Sequence, residues 1–197
     1  VENAEMVTYR DGTPIPEVNG ATEWSNLTTG AWCYYENDET KGKLYNWYAV
    51  MGIHDAIETT PNKEFAPEGW HVPSDAEWTT LEEYLIANDY NYDQTTTENK
   101  IAKAMASTTG WISTTDPGAI GNDQSLNNDS GFNAFPEGLR FMGGSFSYEG
   151  SNAFFWSSTE NFPDYAWYHY LTSNRSYLSS YNQINERFGC SVRFIRN

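Results

Sequence analysis

The 197-residue sequence predicts an α+β fold, two helices flanking small antiparallel sheets with long irregular loops, and three observations carry that reading. Short aromatic or β-branched runs bounded by turn residues lie near both ends of the chain. Helical periodicity is confined to one stretch in the middle. After that stretch the chain is rich in Gly, Asn, Asp and Ser and shows no helical period.

In order, the entry carries the turn signals Asp11-Gly12, Pro14 and Pro16, followed by strand-like runs at residues 32–35 and 44–50. The first helix starts at Ser74, where Ser74-Asp75-Ala76-Glu77 has capping-box spacing and Trp78, Leu81 and Leu85 recur at three and four to form one apolar face. A second helix is expected over residues 98–107, capped by Thr95 and Glu98, with Ile101, Ala104 and Met105 inward. Residues 154–158, 166–171 and 191–195 then read as strands, with Val192, Phe194 or both entering the core and the two ends of the chain meeting in one sheet. No Pro- or Ser-rich linker interrupts the sequence, so one domain over residues 1–197 is expected.

Composition narrows the function. The 8 Trp, 14 Tyr and 10 Phe imply a core, and a binding surface, built from large flat rings. A net charge of -16 with 11 Lys+Arg argues against nucleic acid and anionic lipid, both of which need clustered cations. No apolar run approaches the roughly 20 residues of a membrane helix, so no membrane insertion is expected. Val1-Glu2-Asn3-Ala4 has neither a basic nor an apolar leader and reads as a mature or trimmed start. Cys33 and Cys190 lack any CxxC or His neighbour; free thiols acting as small hydrophobes are preferred, with a disulfide left open.

Residues 42–50 (Gly42-Lys43-Leu44-Tyr45-Asn46-Trp47-Tyr48-Ala49-Val50) and 66–78 (Ala66-Pro67-Glu68-Gly69-Trp70-His71-Val72-Pro73-Ser74-Asp75-Ala76-Glu77-Trp78) form two blocks. They are followed in order by Gly131-Phe132-Asn133-Ala134-Phe135-Pro136-Glu137-Gly138-Leu139-Arg140, Phe155-Trp156-Ser157-Ser158-Thr159-Glu160, Ala166-Trp167-Tyr168-His169-Tyr170-Leu171 and Gly189-Cys190-Ser191-Val192-Arg193-Phe194-Ile195-Arg196. Together these blocks resemble the Fibrobacter succinogenes major paralogous domain. The resemblance implies a C-type-lectin-like fold of the formylglycine-generating-enzyme branch, found in secreted or surface-anchored proteins of Bacteroidetes, some of them diversified by retroelements. The family commonly carries an aromatic at position 190 and a cysteine at 194, where this chain has Cys190 and Phe194, so no shared disulfide is carried over. It supplies no catalytic residue either.

Residues 161–185 hold the candidate binding surface: Asn161, Tyr165, Trp167, His169, Asn174, Arg175, Tyr177, Tyr181, Asn182 and Asn185. Tyr and Trp give contact area at low entropy cost while Asn and Ser give adaptable hydrogen bonds, the composition of evolved paratopes and one suited to sugars. The competing reading is a hairpin whose rings pack inward. His169 is expected to face the ligand, His71 to be structural, and Arg140, Arg193 and Arg196 to brace loops. Trp70, Trp78, Trp111 and Trp156 are expected in the core.

No cofactor is expected. The acidic and amide residues at 121–130 read as Asx turns, with a structural Ca²⁺ at 122–129 left open, and the tripeptides of calcium-dependent lectins are absent. The expected function is thus a non-catalytic extracellular module for a glycan or protein ligand, secreted or anchored at the outer surface. The alternatives are a structural or tip subunit of a surface fibre and, more remotely, a formylglycine-generating-type oxidase, whose paired C-terminal cysteines are missing.

Overall fold

The computed structural model describes residues 3–197. The elements are short: α1 (Ala21–Ser25), β1 (Trp32–Tyr34), β2 (Lys43–Tyr45), α2 (Trp47–Val50), β3 (Trp70–His71), α3 (Asp75–Ala87), α4 (Ala102–Met105), β4 (Glu137–Arg140), β5 (Phe146–Glu149), β6 (Asn152–Phe162), β7 (Tyr165–Thr172), β8 (Ser179–Asn185) and β9 (Ile195–Arg196). They form a mixed α+β structure with a β1-β2 pair, a β3-β9 pair and a five-stranded sheet ordered β5-β4-β6-β7-β8. Within the large sheet β4 and β6 run parallel and the other neighbours antiparallel. Register shifts interrupt both the β6-β7 and β7-β8 ladders, and such bulges increase local twist.

Local chemistry explains where the elements stop. The run at 44–50 is not one strand: β2 ends at Tyr45, and the Asn46 carboxamide accepts the N–H groups of Ala49 (3.0 Å) and Ala31 (2.9 Å), capping α2 and tying it to the residue before β1. The capping box at Ser74 and Glu77 is present, and α3 buries Trp78 and Leu85 with Leu81 half-buried.

The helix expected over 98–107 shrinks to one turn, α4. Glu98 is left-handed (φ 61), and the buried Asn91 side chain donates to the carbonyls of Thr95, Thr97 and Glu98 while accepting from Lys100 N–H. A side chain that collects those backbone groups outcompetes a helix for them.

The C-terminal strand expected over 191–195 is likewise reduced to β9, preceded by isolated bridges Tyr45↔Cys190, Phe155↔Ser191 and Asn3↔Arg193. The ends do meet: Ala4 N–H donates to Val192 C=O at 2.8 Å, Val192 is fully buried, and half-buried Phe194 packs on Phe65. Their contact is by bridges rather than through one continuous sheet.

Two large core clusters meet on β6, whose alternation sends Phe154 and Trp156 into one and Ala153 and Phe155 into the other. Cys33 and Cys190 are free, buried and in different clusters, and burial pushes the Cys33 thiol up to about 11. Arg140 braces loops by donating to the carbonyls of Val18, Asn19 and Gly144 beneath the ring of Trp24, and Arg193 lies over Phe132 and Phe155 while donating to Asn133 C=O. Trp70, expected in the core, is exposed on the two-residue β3, where Arg196 lies over its ring.

Candidate functional site

The predicted segment forms the end of β6, all of β7 and β8, and the turns between them. Strand alternation splits it into two unlike faces. On one, His169 and Leu171 point into the α3 side of the core. His169, expected to face a ligand, is buried: its ring stacks on Trp78 at 4.8 Å, and its Nε2 hydrogen-bonds the Asp75 carboxylate at 3.0 Å. Burial pulls its pKa down to about 4 against the opposing pull of Asp75. The first residue of α3 thus anchors β7, and His169 has a packing role.

On the other face Tyr168 and Tyr170 remain half-exposed and open a groove of about 480 Å³. Cross-strand register builds its floor. Phe154 lies opposite Tyr170, and Tyr168 opposite Tyr181. Ring contacts run from Tyr181 to Tyr168 (6.0 Å), on to Phe154 (5.6 Å) and Tyr170 (5.4 Å), and from Phe154 to Tyr148 (5.8 Å). Phe141 joins Tyr148 to Phe188 and closes the far wall. Tyr165 lies at the β6-β7 turn end, with Asn152, Gln183 and Asn185 carboxamides along the lining.

No lining residue of this groove is charged, although the chain carries 27 Asp+Glu and 11 Lys+Arg. Among the described residues, the hydroxyls of Tyr148, Tyr165, Tyr168, Tyr170 and Tyr181 make no hydrogen bond to the protein. Burial pushes the Tyr168 hydroxyl well above the ordinary phenol range, so it stays a neutral donor and acceptor.

Of the predicted residues, the structure brings Tyr165, Tyr181 and Asn185 into the groove. Trp167 and Asn182 are half-buried outside it, at the bulge where β8 carries one residue more than β7. Asn161 is exposed near the β6-β7 turn. Asn174, Arg175 and Tyr177 belong to the β7-β8 turn, packed toward residues 119–121 by the Ile120 N–H to Arg175 C=O bond, with the Arg175 guanidinium 5.9 Å from the Tyr177 ring centroid. Sequence reasoning missed Tyr168 and Tyr170, which period-two alternation away from a buried His169 marks. It also missed Phe141, Tyr148, Phe154 and Phe188, for which only the register gives a signal.

The 122–129 loop, considered for Ca²⁺, holds a side-chain cation. The Lys103 ammonium donates to the carbonyls of Ala119, Asn122 and Asp123, and burial lowers its pKa. His71 bridges Glu77 and Asn197, clamping the start of α3 to the C-terminus.

Compared with known families, residues 1–196 match the Fibrobacter succinogenes major domain. The chain belongs to that family. No curated protein and no solved structure matches it. The blocks at 131–140 and 166–171 supply the groove residues Leu139, Tyr168 and Tyr170, and Phe154 directly precedes the block at 155–160. No described helix is long and apolar enough to cross a membrane.

Proposed function

We propose that this domain is a non-catalytic ligand-binding module, adhesin- or receptor-like, working outside the cell as a secreted or outer-surface-anchored part. The observation that carries the reading is the uncharged, tyrosine-floored groove with its unpartnered hydroxyls. Large half-exposed rings beside open polar groups are the composition of binding hot spots, whereas purely structural rings are sealed, as Trp78 is. The meeting of the chain ends near Val192 and the helices flanking a bulged sheet support a C-type-lectin-like fold.

An array of glycans and extracellular proteins probed with the intact chain tests the reading. Binding is expected to be lost in Tyr181→Ala and reduced in Tyr165→Ala, at unchanged melting temperature. Binding that survives both changes removes the groove from consideration.

A second reading, a fibre subunit, draws on β8 being an edge of the five-stranded sheet. Concentration-dependent assembly in sedimentation experiments would favour it.

A further inference from the structure

The groove's chemistry narrows what it can hold, given that it is the binding site proposed above. An anionic ligand requires a cation and a cationic ligand an anion, and no lining residue is either. A purely apolar anchor, such as an aliphatic or aromatic peptide side chain, would cover the hydroxyls of Tyr168 and Tyr170 and the carboxamide of Gln183 without pairing them, whereas Asn152 is already held by Ser151 and Thr172 and the Asn185 oxygen by Arg187 N–H. Each buried, unpaired polar group costs about 1–3 kcal/mol. Tyr168 shows the demand most clearly, because its ring is packed among Phe154, Tyr170 and Tyr181 while its hydroxyl has no partner among the described residues. An occupant that offers flat apolar faces to the rings and many neutral hydrogen-bonding groups to phenols and amides at once fits this lining.

We infer that the groove takes a neutral carbohydrate chain, pyranose C–H faces on the tyrosine rings and sugar hydroxyls paired with the Tyr168 and Tyr170 phenols and the flanking carboxamides. The contact needs no metal and no ion pair, so the affinity depends little on salt.

The test is calorimetric titration of the intact chain with cellohexaose, xylohexaose and mannohexaose as neutral probes, hexagalacturonate as an anionic probe and hexalysine as a cationic one. At least one neutral hexaose is expected to bind, with affinity unchanged in high salt or EDTA. Tyr168→Phe, which deletes one oxygen and leaves the ring, is expected to weaken that binding at least about fivefold with no change in melting temperature. Tyr181→Ala is expected to weaken it further. The inference is overturned if none of the neutral hexaoses binds at millimolar concentration, if a charged probe is preferred, or if neutral-sugar binding is unaffected by both variants. A protein ligand found on the array and released by Tyr181→Ala would overturn the carbohydrate assignment while leaving the groove as the binding site.

Discussion

The two faces of β7 differ more than their shared residue types suggest. His169 and Leu171 lie under α3 against Trp78 and Phe155, whereas Tyr168 and Tyr170, one residue away on each side, are only partly buried and line the groove. Both faces are aromatic. The difference is cover: a capped thirteen-residue helix seals one, whereas on the other a core cluster around Trp156 and Cys190 buries Ala166 and leaves Tyr168 and Tyr170 partly open beside the β4-β5 hairpin and Phe188. Aromatic composition therefore does not mark a core, and one strand carries a sealed ring on one side and partly open rings on the other.

The strongest way to break this contrast is Trp78→Ala, which removes the ring touching Phe132, Phe155 and His169 together. A loss of about 3–5 kcal/mol in urea unfolding is expected, from lost transfer energy plus a cavity. A loss below about 1 kcal/mol would mean the face is not sealed as described.

Acid probes the same face. The folded-state pKa of His169, about 4, lies below its ordinary 6.5, so the unfolded chain takes up the proton first as pH falls. Its contribution is complete above pH 6.5 and is lost progressively toward pH 4. Melting temperature measured across that window should fall, and His169→Gln, starting from a less stable protein, should flatten the fall.

Glu186 opposes that trend. Burial, with Glu160 and Asp164 nearby, pushes its pKa up to about 7 from the ordinary 4.5, so the native state binds the proton first and gains stability as pH drops from 7 to 4.5. In Glu186→Gln this compensation is absent, and the acid-side loss due to His169 should become steeper.

The wall beneath the sealed face contains α4 and the Lys103 clamp. Lys103→Met leaves three carbonyls without their donor and is expected to cost about 1–3 kcal/mol. Because the ammonium occupies the loop, EDTA is expected to leave the parent's melting curve unmoved.

The smallest effect belongs to the open face. Tyr181, 48% exposed, should change stability by less than about 0.5 kcal/mol when replaced by alanine. A large loss there would turn the groove into core and dissolve the contrast between faces.

By itself the sequence determined the family, the mixed α+β class and the α3 start at Ser74, and it pointed to residues 161–185 as the candidate surface. Each of these is written in local spacing: a capping box, a period of three and four, ordered blocks, and a run of Tyr and Asn. Only the tertiary structure decided that Asn91 would dissolve the start of the second helix, that Trp70 would stay outside, and that His169 would be buried against Asp75. The groove itself was also decided there, since Phe141, Tyr148, Phe154 and Phe188 come from four separate segments. The physical reason is that a strand's alternation names two faces but not which one will be covered, and cover comes from residues distant in the chain.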